Sequence, residues 1–122
     1  MRGLETTIKK HLEERGWDDL RPGDVAKSIM IEGAELLELF QWDNPTLAET
    51  KADAGKLDRI KNEIADVMIY ALELAVLLDL DVETIVREKL ALVAKKYPAE
   101  LMRKRDGANA EYWRIKKAHR ER

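Results

Sequence analysis

Acidic residues recur at steps of three in two separate segments of the chain. Glu32, Glu35 and Glu38 lie in the first segment, and Glu63 and Asp66 lie in the second. Carboxylates gathered this densely repel one another unless a cation lies between them. An all-oxygen ligand set favours Mg²⁺, Mn²⁺ or Ca²⁺ over zinc or copper. The residue types and their spacing therefore indicate a candidate divalent-metal site.

Two other interpretations of the same acidic residues stay open. Most Glu and Asp side chains on helices face solvent and bind nothing. A di-iron carboxylate bundle also uses glutamates on facing helices, but it needs Glu-x-x-His motifs. The two histidines of the chain are His11 and His119, and neither follows a Glu by three residues. The iron interpretation is therefore the weaker of the two.

The first helix that must position these acids carries an apolar face beside an acidic stripe. At 100° per residue, Glu32, Glu35 and Glu38 share one slowly drifting stripe. The neighbouring arc is apolar and includes Ile29 and Leu36. The pattern predicts that this helix buries its apolar face and keeps the acids at the edge of the packing seam.

The second acidic segment repeats this arrangement. Glu63, Asp66, Tyr70 and Glu73 share a stripe beside an apolar arc. Packing the two apolar faces together would bring the two acidic stripes towards each other across a shallow groove. Both helices together therefore predict one metal site rather than two surfaces.

The remaining periodicity predicts an all-α fold, since no segment alternates as a half-buried strand does. Asp24 is a candidate N-cap for the first acidic helix, and Gly16 is a candidate stop for the helix before it. A helical turn is expected between Pro45 and Gly55. The predicted helices run over residues 4–15, 24–41, 57–78 and 82–96, with a charged helix near the C-terminus. We expect a single domain over residues 1–105 and a charged helical tail over 106–122.

Composition excludes several classes of function. The 122-residue chain carries 22 basic and 24 acidic residues and a net charge of −2, so an electrostatic binder of nucleic-acid polymers is not expected. It has no cysteine, which excludes thiolate metal sites. No run approaches the roughly 20 apolar residues of a membrane helix, and the first residues lack an apolar signal core. We expect a soluble cytoplasmic protein without a membrane partner.

The acidic pattern resembles that of a known family. Glu32-x-x-Glu35 followed by Glu63-x-x-Asp66 resembles the ExxE…ExxD signature of the MazG-like all-α nucleoside triphosphate pyrophosphohydrolases. Four ordered segments, two of which contain acids of this signature, are similar to the dCTP pyrophosphatase branch of that family: RGW, ELLELFQW, NEIADVMIYALELA and REKLALVAKKYPAEL. The resemblance implies a helical bundle that assembles as an intertwined homodimer or homotetramer.

The resemblance also implies a reaction and a cofactor. A (deoxy)nucleoside triphosphate, most of all a pyrimidine deoxynucleotide such as dCTP, is hydrolysed to the monophosphate and pyrophosphate, which cleanses the nucleotide pool. Glu32, Glu35, Glu63 and Asp66 would ligate Mg²⁺, with Mn²⁺ as a substitute. Glu38 would orient the attacking water as the catalytic residue, although a solvent-exposed helix acid is an equal alternative.

By the same resemblance, aromatic and basic side chains would bind the substrate. Trp17, Trp42 and Tyr70 would hold the base, and Lys89 and Lys96 would reach the triphosphate. Core packing is the alternative role of each aromatic residue. The two lysines could instead extend their charged ends from an apolar face into water.

Two departures from the pattern concern recognition of the base or sugar. Val93 stands where the dCTP pyrophosphatase branch usually has Asn, and the loop after Trp17 lacks the His of that branch. A dUTP-preferring enzyme of the same fold is therefore an alternative. A non-catalytic helical oligomer that binds a nucleotide or a protein is the second alternative.

Overall fold

The secondary structure of the described residues consists of α-helices. A computed structural model describes residues 2–103 and 108–120, and all secondary structure within these ranges is α-helical. The predicted all-α fold is confirmed. The helices are α1 (Arg2–Glu14), α2 (Pro22–Glu38), α3 (Leu47–Ala52), α4 (Ala54–Leu77), α5 (Val82–Lys96), α6 (Ala99–Met102) and α7 (Ala108–Arg120).

The chain forms two compact units, Met1–Val82 and Glu83–Arg122. The first unit contains α1 to α4, and the second contains most of α5 together with α6 and α7. The predicted boundary between the domain and its tail falls at residues 105–106, outside the described residues, and stays a prediction. No helix in the described ranges is long and apolar enough to cross a membrane.

In the first unit, α4 is the central helix. Helix α2 packs along it, α1 packs on it as well, and α3 contacts it. Ile8 and Leu12 of α1 meet Leu72 of α4 in a buried apolar cluster. Val76, Leu77 and Val82 pack against this cluster and extend it towards the start of α5. The packing of α1 and α2 on one helix places both acidic stripes in the same unit.

Helix α1 ends as its sequence predicts, at a glycine with positive φ. Gly16 has a φ of 66°, a conformation that glycine adopts without steric cost. The Gly16 amide donates to the Glu13 carbonyl at 3.2 Å, and the Trp17 amide donates to the Leu12 carbonyl at 2.9 Å. These two bonds form a Schellman motif. The motif fixes the position of Trp17 directly after the buried Leu12.

Helix α2 begins earlier than predicted. Its N-cap is Arg21, whose side chain makes no capping hydrogen bond, and Pro22 takes the first position of the helix. The predicted N-cap role of Asp24 is therefore wrong. The reason is that the fixed φ of proline suits the first helical turn, so the helix starts before the acidic residue.

Helix α2 also ends earlier than predicted. It stops at Glu38, and the amides of Phe40 and Gln41 each donate three residues back in a turn. The expectation of a helix to Gln41 is therefore wrong. The Lys56 ammonium lies 5.1 Å from the centre of the Phe40 ring and 3.8 Å from the Asp43 carboxylate. These contacts from α4 accompany the turn in which α2 ends.

The predicted helical turn after Pro45 is confirmed as α3, and local capping explains it. Thr46 and Glu49 form a capping box, in which each side chain accepts a hydrogen bond from the backbone amide of the other. The Asp53 carboxylate then caps α4 by accepting from the Lys56 amide at 3.1 Å. The caps divide this acidic and threonine-rich segment into two helices.

In the second unit, α5 has the predicted bounds and α7 confirms the predicted charged helix. Helix α6 packs on α7. The rings of Tyr97 and Tyr112 stack with centroids 4.9 Å apart. This stack joins the end of α5 to α7.

Candidate metal centre and adjacent cavity

Three carboxylates from two helices converge in the first unit. Glu32 of α2 and Glu63 and Asp66 of α4 each offer one oxygen, and these oxygens lie within 4.8 Å of one another. The convergence follows from the packing of α2 on α4, which aligns the two acidic stripes. The groove between the helices therefore has the composition that the spacing of the acids predicts.

Two oxygens of this cluster are shielded from solvent without a hydrogen-bond donor. Within the described residues, Glu32 Oε2 and Glu63 Oε2 are buried and have no hydrogen-bond partner. Buried acceptors of this kind are rare in folded proteins, because a lost hydrogen bond with water is not replaced. A bound cation would replace it.

The carboxylates raise one another's pKa values. A shared hydrogen bond with Glu35 raises the pKa of Glu32 most, followed by burial and by repulsion from the neighbouring acids. For Glu63, burial is the largest cause of its raised pKa, and repulsion from Glu35 and Asp66 adds to it. The folded protein therefore holds these groups at a cost when all of them are charged.

Glu35 and Glu38 lie at the edge of the cluster. Both are exposed, and both contribute to the raised pKa of Glu63. Within the described residues, the oxygens of Glu32, Glu63 and Asp66 converge, and Glu35 and Glu38 act on this cluster through their charge. Several hard oxygen ligands without sulfur fit a magnesium- or manganese-sized cation. The assignment of a role to each acid stays a prediction.

A cavity of about 340 Å³ lies next to the cluster, and Asp66 lines it. The other lining residues are His11, Trp17, Leu20, Ile69, Tyr70 and Glu73. The Trp17 ring meets the His11 ring edge-on, with centroids 5.9 Å apart. The structure therefore brings the predicted aromatic residues Trp17 and Tyr70 together with one of the predicted metal ligands.

The remaining predicted substrate residues are not among those that line this cavity. Trp42 follows α2 on the connection to α3 and is 90% exposed. Lys89 and Lys96 belong to the second unit, where they line one cavity of about 740 Å³. Lys95, Arg114 and His119 also line that cavity and make it strongly basic. The two lysines thus share a basic cavity, and a role in substrate binding stays a prediction for all three residues.

Two titratable residues that line the 340 Å³ cavity, Glu73 and His11, were not among the predicted site residues. Glu73 is a carboxylate with only 5% of its surface exposed, and His11 is half-buried beside it. A signal for Glu73 was present in the sequence, because it lies one helical turn after Tyr70 on the acidic stripe. No signal marked His11, because its place in the cavity depends on the packing of α1 against α4.

The fold and the acid cluster define an all-α protein with a candidate divalent-metal centre. A model of the MazG-like family matches residues 27–112, which is more than half of the 122-residue chain. The chain belongs to the MazG-like family, as the resemblance of its motifs predicts.

Individual relatives agree with this membership. The dCTP pyrophosphatase 1 of Mus musculus is 31% identical over 105 residues, and that of Homo sapiens is 30% identical over 111 residues. Each alignment covers 82% of this chain and 62% of the relative, so the chain spans less than two thirds of these relatives. A solved pyrophosphatase from Archaeoglobus fulgidus DSM 4304 is 34% identical, with a TM-score of 0.69 over 80% of this chain and 92% of that chain.

Proposed function

We propose that the protein hydrolyses (deoxy)nucleoside triphosphates to the monophosphate and pyrophosphate. The observation that carries the proposal is the convergence of Glu32, Glu63 and Asp66, in which two buried oxygens have no hydrogen-bond partner in the part of the chain that the structure describes. Relatives named dCTP pyrophosphatase 1 support this class of reaction. We propose pyrimidine deoxynucleotides such as dCTP as the substrates, and the cytoplasmic nucleotide pool as their source.

In this proposal the acids hold Mg²⁺, with Mn²⁺ as a substitute. Glu32, Glu35, Glu63 and Asp66 are the ligands. When bound, the cation neutralises charge on the triphosphate and lowers the pKa of water at the site. The orphaned buried oxygens of Glu32 and Glu63 are the reason why the chain fits such an ion.

The reaction breaks one phosphoanhydride bond. The oxygen of water bonds to the α-phosphorus, and the bond from the α-phosphorus to the bridging oxygen breaks. Pyrophosphate leaves with that oxygen and its electron pair. Glu38, at the C-terminal end of α2, orients the attacking water and takes its proton.

Aromatic and basic residues bind the substrate in this proposal. Trp17 and Tyr70 stack on the base, because both line the cavity that Asp66 also lines. Trp42 offers a further exposed ring for stacking, and stacking on an aromatic ring is worth roughly 1–3 kcal/mol per base. Lys89 and Lys96 bind the phosphates, since the cavity they share carries several positive charges.

We further propose that the protein acts as a homodimer or homotetramer. Large apolar side chains are exposed along α2 and α4: Met30, Ile31, Leu37, Ile64, Met68 and Ile69. Soluble proteins rarely expose apolar patches of this kind unless a partner covers them. A second copy of the chain is the partner that we propose.

The test of the function is pyrophosphate release in Mg²⁺ from each nucleoside triphosphate and its deoxy form. Glu63→Gln removes one proposed ligand while keeping the shape of the side chain. Glu13→Gln, an exposed acid of α1, is the matched control. We expect release from a pyrimidine deoxynucleotide that is lost in Glu63→Gln and kept in Glu13→Gln.

Other results would support the alternatives. Preferential release from dUTP would indicate the dUTP-preferring enzyme. Nucleotide binding without release, unchanged in Glu63→Gln, would indicate a non-catalytic binding protein. A coloured iron-loaded protein that releases nothing would favour the di-iron interpretation.

A further inference from the structure

The cavity beside the acid cluster contains a buried acid that the proposed reaction does not use. Glu73 lies on α4 one turn after Tyr70 and two turns after Asp66, and only 5% of its surface is exposed. Its side chain nevertheless lines the cavity of about 340 Å³. A buried carboxyl that faces a cavity is available to a ligand that enters it.

The buried position of the Glu73 carboxyl is unfavourable for the stability of the fold. Burial raises the pKa of Glu73, and the nearby His11 opposes that rise. A buried charge is costly, and an apolar pair of similar volume is often as stable or more stable. Glu73 and His11 therefore call for an explanation other than the packing of α1 on α4.

The rest of the cavity has the character of a base-binding pocket. Trp17 and Tyr70 supply aromatic surfaces, and Leu20 and Ile69 supply apolar ones. Ligand pockets are usually apolar with a few polar groups that fix orientation. In this cavity the titratable groups beyond the acid cluster are Glu73, His11 and the Tyr70 hydroxyl. Asp66 and Glu73 both line this cavity and lie two helical turns apart on α4, so a metal ligand and a buried carboxyl are available to the same bound molecule.

We propose that Glu73 determines base specificity by accepting a hydrogen bond from the amino group of an aminopyrimidine. The inference rests on the proposed function and names the group that selects its substrate. A charged carboxylate has only hydrogen-bond acceptors, so it can accept from the amino group of cytosine. The O4 carbonyl of uracil is also an acceptor, and the two groups would repel each other. His11 is a positioning residue, because its proximity favours the charged form of Glu73.

The test compares the ratio of kcat/KM for dCTP and dUTP in the wild type, in Glu73→Gln and in the control Glu13→Gln. The glutamine amide adds donors that can pair with the uracil O4 carbonyl. We expect the ratio to fall at least about tenfold in Glu73→Gln, the size of discrimination that one well-placed polar contact to a base supplies. Glu13→Gln should keep the wild-type ratio.

A merely structural role for Glu73 predicts a different result. Loss of packing would lower kcat/KM for both nucleotides in proportion and leave their ratio unchanged, which would overturn the proposal. A wild-type enzyme that prefers dUTP would overturn it as well. His11→Gln is the second variant, because it removes the imidazole beside Glu73 and should lower the same ratio without touching that carboxyl. An unchanged ratio in this folded variant contradicts the proposal even if Glu73→Gln fails to fold.

A binding measurement separates this inference from the proposed function. Isothermal titration calorimetry with the α,β-imido analogues of dCTP and dUTP measures affinity without turnover. In one outcome no triphosphate is hydrolysed, but the dCTP analogue binds more tightly than the dUTP analogue and Glu73→Gln removes this difference in affinity. The proposed function then fails and the inference stands. If hydrolysis occurs but the two analogues bind alike, the inference fails and the function stands.

Discussion

At the scale of single residues, the acid cluster is electrostatically unfavourable for the stability of the metal-free fold. Glu32 and Glu63 hold buried oxygens that have no hydrogen-bond partner among the described residues, and both have raised pKa values. The spacing of the acids predicts their convergence, because steps of three on two helices can be placed on one face from sequence alone. The depth of burial of Glu73 could not be predicted in this way, since it depends on which face α1 covers.

The raised pKa values predict how the stability of the metal-free protein changes with pH. A carboxyl whose pKa is higher in the folded than in the unfolded state contributes stability below the ordinary value of 4.5. That contribution is lost as the pH rises through the higher, folded-state value. The quantity to follow is the free energy of unfolding of the wild type minus that of Glu32→Gln, both measured in EDTA. We expect this difference to decrease as the pH rises above about 4.5. Urea denaturation across this pH range measures it, and an increase would contradict the expectation.

Removal of one charge from the cluster predicts a second effect on stability. Without a divalent cation, Glu63→Gln should melt at the same temperature as the wild type or higher, because repulsion from Glu35 and Asp66 is relieved. Addition of Mg²⁺ should raise the melting temperature of the wild type, because an ion that binds only the folded state stabilises it by about 2.7 kcal/mol at 100 times its Kd. The variant should lose this rise. Thermal melting by circular dichroism, with Glu13→Gln as control, measures both effects. A variant that melts far below the wild type in EDTA would indicate a structural role for Glu63.

At the scale of helices and connections, local signals decided how well the elements could be predicted. The bounds of α5 match the prediction, because apolar residues recur at helical spacing between a turn before Val82 and Pro98. The end of α2 does not match, because the apolar spacing continues into Phe40 while the chain turns there. Lys56 belongs to α4, so its contacts with Phe40 and Asp43 could not be predicted from the spacing of apolar residues in α2.

The capping box of α3 predicts the effect of one substitution on this region. Thr46→Ala removes the acceptor for the Glu49 amide, and loss of an N-cap of this type costs about 0.5–2 kcal/mol. The free energy of unfolding should fall by that amount in urea denaturation. Thr7→Ala is the matched control, because the Thr7 hydroxyl donates only to a carbonyl of its own helix and alanine favours helices. Equal losses in the two variants would contradict a specific capping role.

At the scale of the whole molecule, large apolar side chains remain exposed on helices that pack within the first unit. Met30 and Leu37 of α2 are 73% and 66% exposed, although both belong to a helix that packs on α4. The sequence predicts which residues are apolar, but helical periodicity does not say whether a second apolar arc is covered by the same chain or by another copy. Assembly is the property that the sequence of one chain specifies least.

The proposed assembly predicts a change of mass on substitution. Leu37→Glu places a charge in the exposed apolar surface and should shift the wild-type dimer or tetramer towards monomer at the same concentration. Lys51→Glu also changes a charge on the surface, but in the short helix α3, and should leave the assembly intact. Sedimentation equilibrium measures the mass of each. A wild type that is monomeric at high concentration would contradict the proposed assembly.

The position of the bond that breaks tests the central claim most directly. Hydrolysis of the preferred triphosphate in ¹⁸O-labelled water, with mass analysis of both products, shows which phosphorus is attacked. We predict a nucleoside monophosphate that carries one labelled oxygen and pyrophosphate that carries none, with no product formed by Glu63→Gln. Label in pyrophosphate, release of inorganic phosphate in its place, or undiminished turnover in Glu63→Gln would contradict the account.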